Sequence, residues 1–323
     1  MNFADVKEWR IPINGTMTEV TKVTDSQNRV IWQKESIDYT EPFYVENITN
    51  STETLSIIKE YSSAPTLTIE YSADKSNWTP FENPTSTTAI TKTLAPGERL
   101  YLRCNTNTWS NTTTNNSISG ISSVGGNIMS LLYGSNFTGQ ETSFPSGSTY
   151  TFCSLFENNT TLVMANKLLL PSSTTQACYW GMFERCTSLA TAPDLPATTL
   201  SISCYVNMFA RCTSLYESPS LPATTLAVSC YSSMFYGCRY LQRTPVLPAI
   251  DLVENCYNLM FLGCTLVNNI ECYAVNGINE NNSTLGWLNS VAESGHFTQH
   301  CAASWPRSDD GIPSDWNVDC VTP

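Results

Sequence analysis

Charge is scarce in this chain of 323 residues: 14% of its positions are Asp, Glu, Lys or Arg, about half the share of an average soluble domain. Basic residues are the scarcer sign, 16 against 28 acidic ones, giving a net charge of -12 with no Lys/Arg run. A phosphate backbone would be repelled, so no nucleic-acid partner is expected. Histidine is nearly missing, with only His296 and His300, which leaves most of the chain without an imidazole base or ligand. No apolar stretch approaches the roughly 18 residues of a membrane-spanning helix. Met1 to Trp9 also lacks the basic start and apolar run of an export signal. Neither export by a signal peptide nor membrane insertion is therefore expected. A phosphate-binding loop, a dinucleotide glycine pattern, a nucleophile elbow and a metalloprotease helix are missing too. The expectation is no enzyme, no cofactor and no metal.

What the chain does have is apolar mass, 41% of its residues, enough for a core in each of roughly two or three compact regions. Ser, Thr and Asn supply most of the polarity, and triplets such as Asn14-Gly15-Thr16 are by-products of that composition. The decisive feature is an internal repeat. Cys178, Cys204, Cys230 and Cys256 are 26 residues apart, and Cys186, Cys212, Cys238 and Cys264 keep the same interval. Tyr179, Met182, Phe183, Leu189, Pro193, Leu195, Pro196 and Leu200 recur in phase with them. A worn copy precedes them from Phe152 to Pro171, and the pattern dissolves after Val267. Apolar residues so distributed cannot share one face of an isolated element, so each unit must stack on its neighbours, which is the physical meaning of a solenoid.

The run M-F-x-x-C-x-S-L within each unit resembles the BspA-like leucine-rich repeats of bacterial surface proteins and of phages of gut bacteria. The resemblance covers about residues 150 to 270. It implies coils with a short strand and a turn or helical segment, one regular edge from Tyr179 to Phe183 and its equivalents, and adhesion in place of a reaction. The expected fold class is mainly β: an N-terminal β-hairpin anchor and a β-sandwich, then a leucine-rich-repeat-like solenoid with 26-residue coils.

Of thirteen cysteines, eight follow the repeat phase, as expected of buried small apolar residues whose thiols stack from coil to coil. Zinc does not suit the repeats: each pair is separated by seven residues, and no histidine falls among them. His296, His300, Cys301 and Cys320 form a slightly better ligand list near the C-terminus but lack a C-x-x-C half.

Residues 1–34 contain a strand around Ile11 and a hairpin ending at Trp32, too short to bury Trp9, Ile11, Ile13 and Trp32 unaided. These four are the expected virion anchor, with packing within the chain as the alternative. Residues 35–116 alternate as a β-sandwich of immunoglobulin-like or jelly-roll type, with a Ser/Thr/Asn-rich stretch from Asn105 to Asn116. Residues 117–150 read as linker and N-terminal cap, 151–267 as the solenoid, and 268–323 as a C-terminal cap with a short helix from Leu285 to Val291.

Trp180, Arg185, Arg211, Tyr216, Tyr236, Arg239 and Tyr240 occupy positions the repeat leaves free, and aromatic and Arg side chains are the types that supply binding hot spots. They form the expected recognition surface. Taken together, the sequence suggests a structural bacteriophage virion protein, a head fibre or decoration or a tail fibre. It would lie on the particle surface, bound to capsid or tail proteins and self-associated, with a trimer one option that no residue specifies. Its target would be a host surface protein or glycan. The alternatives are a BspA-like cell-surface adhesin and, further off, a polysaccharide depolymerase using carboxylates such as Glu184, Asp194, Glu217, Asp251 or Glu254. A Ser-His-Asp set drawn from Ser294 or Ser304 with Asp309 or Asp310 has no support from spacing.

Overall fold

The computed structural model describes residues 37–59, 68–81, 89–104, 109–110 and 116–322, together with the strand segments 9–13, 16–20, 22–24 and 30–33. Two compact units emerge, residues 1–38 and 39–323. The first contains two antiparallel pairs: β1 (Trp9–Ile13) with β2 (Thr16–Val20), and β3 (Lys22–Thr24) with β4 (Val30–Gln33).

The second unit is mainly β, with several sheets and no closed barrel among the described residues. Its first part contains β5 (Tyr44–Glu46), β6 (Glu53–Lys59), β7 (Ile69–Ser72), β8 (Thr79–Pro80), β9 (Ile90–Leu94) and β10 (Arg99–Cys104). These lie where the alternating sequence places them. The sheets do not close at residue 116, however. β11 (Asn116–Ser119) completes a three-stranded sheet β11-β6-β9, while β12 (Ser123–Asn127) and β13 (Met164–Leu169) extend a six-stranded one, β13-β12-β5-β10-β7-β8. β12 pairs antiparallel with β5 and parallel with β13, so one sheet runs from the strands of residues 44–104 into the first repeat. Val45, Leu55, Ile57, Ile69, Leu94, Leu100, Leu102 and Ile118 turn inward and share one apolar cluster with the repeat residues. The Asn105 to Asn116 stretch holds a buried Trp109, whose indole N–H donates to the Asn116 carbonyl at 2.9 Å.

From Tyr150 onward the 26-residue units lie over one another through backbone bonds. Ala177, Tyr179, Gly181, Phe183 and Arg185 donate their N–H groups to the carbonyls of Ile202, Cys204, Val206, Met208 and Ala210 in the next unit. The residues between them, Cys178, Trp180, Met182, Glu184 and Cys186, donate to carbonyls three residues back. The same alternation recurs in the units that begin at Ser203, Ser229 and Asn255. Both sets of groups along the edge are satisfied, as buried backbone requires.

The edge expected from Tyr179 to Phe183 is regular, and it is a chain of turns. The reason lies in φ: Ala177, Gly181 and Arg185 have positive values of 51°, 59° and 59°, and Ser203/Asn207/Arg211, Ser229/Ser233/Gly237 and Asn255/Leu259/Gly263 repeat the triplet. A left-handed residue at every fourth position folds the strip into turns. Leu285 to Val291 likewise forms turns instead of the expected helix, with Gly286 and Ser290 at φ 58°.

Stacking also continues past Val267. Tyr257, Phe261 and Gly263 donate to Ser283, Trp287 and Asn289. A parallel sheet then runs through β14 (Val246–Leu247), β15 (Asn269–Cys272), β16 (His296–His300) and β17 (Asn317–Val321).

Two expectations follow for the stacked units. Phe209 and Leu215 are fully buried between neighbouring units, so Phe209→Ala and Leu215→Ala should each cost about 2 to 5 kcal/mol in denaturant unfolding, against less than about 0.5 for the exposed Arg211→Ala. Equal shifts would contradict the inward and outward assignment. At Gly263 a Cβ would meet nothing nearer than 3.7 Å, yet φ is +77°. Gly263→Ala should therefore lose about 1 to 2 kcal/mol from backbone conformation alone.

Candidate functional site

The in-phase rings build the frame that carries the candidate surface. Tyr179, Tyr205, Tyr231, Tyr257 and Trp287 stack at centroid separations of 5.6, 5.7, 6.0 and 6.0 Å. Phe156, Phe183, Phe209, Phe235 and Phe261 stack at 5.2, 5.4, 5.8 and 5.5 Å. Planes in the middle of both ladders are within about 11° of parallel. Phe43 of the sandwich lies 6.2 Å from Phe156 and begins the second ladder, while Trp305 stacks on Trp287 at 5.1 Å and closes the first.

The repeat cysteines are free and buried. Cys186, Cys212, Cys238 and Cys264 donate their thiols to the carbonyls of Phe156, Phe183, Phe209 and Phe235 in the preceding unit, at 3.0, 3.1, 3.0 and 2.9 Å. Each thus uses a second lone pair of a carbonyl that already accepts a local N–H. Burial pushes the thiols up, Cys178 and Cys264 to about 12 and Cys256 to about 11.

The expected recognition residues fall into contact groups. Arg185 lies beside Glu184 at 3.7 Å, and Arg211 places its guanidinium 5.4 Å from the Tyr236 ring centre. Burial first, then Glu157, raise the Glu184 carboxyl above its ordinary range, against the pull of Arg185 and Arg211. In a second group Arg243 reaches both Tyr216 at 5.5 Å and Glu217 at 3.5 Å. Tyr216 and Tyr240 are 42% and 62% exposed, and Arg239 is exposed. Trp180 is half-buried and stacks on Tyr150, so part of its role is packing. Arg243 belongs to this surface through its contacts with Tyr216 and Glu217.

The anchor residues Trp9, Ile11 and Ile13 lie on β1 and Trp32 on β4. What their side chains contact lies outside the described residues.

The C-terminal ligand list is not brought together. Cys301 and Cys320 form a disulfide, His296 Nε2 is 3.1 Å from Asp319, and His300 Nδ1 accepts the Ala302 N–H. The described residues contain no group of three or more His, Cys, Asp or Glu placed to hold a metal. Asp310 accepts the Gly286 N–H at 2.7 Å, a capping contact and not part of a triad. Among the carboxylates, Glu217 pairs with Arg243 and Asp251 accepts from Asn276, each across a unit boundary. No helix among the described residues is long and apolar enough to cross a membrane.

Comparison with known proteins finds no family model that matches the chain, and no curated protein or solved structure with significant similarity to it.

The thiols provide a direct check. Iodoacetamide at pH 8 should leave the eight repeat cysteines unmodified in the native protein and label all of them after denaturation, as read by peptide mass spectrometry. Their raised values also set a pH window. An unfolded thiol ionises near 9, while the folded one keeps its proton, so the stabilisation is complete below about pH 9 and is lost as pH rises above it. The melting temperature should hold level up to that pH and fall beyond it.

Proposed function

We propose that the chain is a structural bacteriophage virion protein, a head fibre or decoration or a tail fibre. Its stacked units would be a leucine-rich-repeat-like solenoid displayed for adhesion to a host surface protein or glycan. The carrying observation is the contrast between invariant and variable positions: rings and thiols that repeat lie inside, while Arg211, Tyr216, Tyr236, Arg239, Tyr240 and Arg243 break phase on the outside. A rigid frame with a variable aromatic and guanidinium surface is what recognition without chemistry requires. On this reading residues 1–34 dock to capsid or tail proteins, self-association positions several copies, and no enzyme activity or cofactor is involved.

A second reading, a bacterial cell-surface adhesin of the BspA-like type, is favoured by the exposed Cys301–Cys320 disulfide, because such bonds persist in oxidising surroundings. Locating the protein by electron microscopy of intact particles separates the two. A chain lacking residues 1–33 should fold and remain soluble yet be missing from gels of purified particles. Replacing the exposed Tyr216 and Tyr240 by Ala should leave incorporation unchanged and weaken attachment to host cells by at least about tenfold. Incorporation of the truncated chain would remove the docking role of that segment; normal attachment of the double variant would remove recognition from this face.

A further inference from the structure

Away from the repeats, a cleft of about 260 Å³ brings together two of the chain's 16 basic residues; its walls include Thr40, Lys75, Trp78, Arg103, Ser135 and Phe137. That volume lies below the range of drug-sized pockets and is on the scale of one sugar ring. The walls are fixed in advance. Asp74 Oδ1 accepts the Ser76 and Asn77 N–H groups, both at 2.8 Å, and the Ser72 hydroxyl at 3.0 Å; its Oδ2 takes the Asn77 side-chain amide at 2.7 Å. The loop held this way presents Lys75, and the Trp78 indole N–H is pinned to the Lys75 carbonyl at 3.1 Å. The Arg103 guanidinium covers the Trp78 ring at 4.2 Å. Glu70 takes Arg103 through Nε alone, at 2.7 Å, so the outer nitrogens of the fork have no carboxylate among the described residues. Lys75 lies 5.4 Å from the Tyr101 ring centre and, among the described residues, has no ion pair.

We propose that this cleft binds a carboxylate-bearing pyranose, with the carboxylate on Lys75 and the outer Arg103 nitrogens and the C–H face of the ring on the Trp78 and Phe137 side. A guanidinium fork matches a carboxylate geometrically, and an aromatic wall matches the apolar face of a sugar. Selectivity is local, because a chain of net charge -12 has no long-range attraction for anions and must hold one by direct contact with Lys75 and Arg103. Uronic and nonulosonic acids share this chemistry. The site does not rest on the virion reading, and it can fail or succeed independently of the repeat surface.

The test is calorimetric titration of the full chain with methyl glucuronide, the methyl glycoside of N-acetylneuraminic acid, and neutral methyl glucoside. At least one acidic glycoside should bind saturably and at least about tenfold more tightly than methyl glucoside, and 1 M salt should weaken it. Binding of only one acidic glycoside identifies the source. Lys75→Gln should lose that preference with an unchanged melting temperature, since Lys75 is exposed. Equal affinity for acidic and neutral glycosides, no binding of either, or a Lys75→Gln variant that binds as the parent would each overturn the proposal.

Discussion

The backbone bond from one unit to the next, made at every second residue of the turn strip, is the constraint on which the rest of this structure depends. Because Tyr179 N–H reaches Cys204 and Phe183 N–H reaches Met208, successive units are locked at one spacing and one register. Side chains 26 positions apart then have no choice but to lie over each other. The ring ladders, the thiol bonds to the Phe carbonyls and the burial of Leu189, Leu215 and Leu241 are consequences of that register. It is bought with backbone strain at Ala177, Arg185, Ser203, Arg211 and Leu259, all non-glycine residues at positive φ.

The same bonds run in one direction, and this dictates the two ends. Every cross-unit N–H of the turn strip points toward the C-terminus, while outside the strip Ala190, Thr224, Gln242 and Val275 donate backward to Val163, Thr198, Tyr216 and Ile250; the strip of the first unit is therefore left with open carbonyls and that of the last with open donors. At the first, Trp109 and Ser110 donate their N–H groups to Thr151, and Ile118 donates its own to Leu155. The Ser110 hydroxyl donates to the Cys153 carbonyl at 3.1 Å. At the last, the Asp310 carboxylate accepts Gly286 N–H, and the Trp287 indole bonds the Gly311 carbonyl. A donor-rich sandwich edge at one end and a carboxylate at the other are complementary to the polarity of the strip. That is why Trp109 and Ser110, in a stretch that looks like a linker by composition, are buried.

The sequence makes the periodic part visible because in-phase side chains are what a register of this kind repeats. Strands β5, β6, β7, β9 and β10 were legible for a similar reason, as alternation marks a half-buried sheet. The left-handed triplets were harder to see. Their positions hold Ala, Gly, Ser, Asn, Arg and Leu in different units, and only Gly181, Asn207, Gly237, Asn255 and Gly263 hint at the conformation. The continuation past Val267 was hidden because the unit there is one residue longer and holds Thr284, Trp287 and Leu288 where the repeat has Tyr, Met and Phe. Of the candidate surface, exposure of Arg211, Arg239 and Tyr240 was readable from broken phase, whereas the Arg243 contacts with Tyr216 and Glu217 span two units and have no local trace. The sandwich cleft was unreadable for the same reason, since it joins Thr40, Lys75, Arg103 and Phe137 from distant segments.

The distribution of sulfur connects the fold to where such a chain can work. The repeat thiols are sealed between units, and burial keeps them protonated, so neither oxidant nor metal has a thiolate to attack. The frame therefore assembles without any disulfide and suits a reducing cell. Cys301 and Cys320, by contrast, are exposed, and their bond ties the end of β16 to β17, the last strand of the parallel sheet. A bond there adds to a stack already complete, stapling the edge most prone to fray. Folding in a reducing compartment and hardening in an oxidising one then require no rearrangement, because the two classes of cysteine never compete for partners.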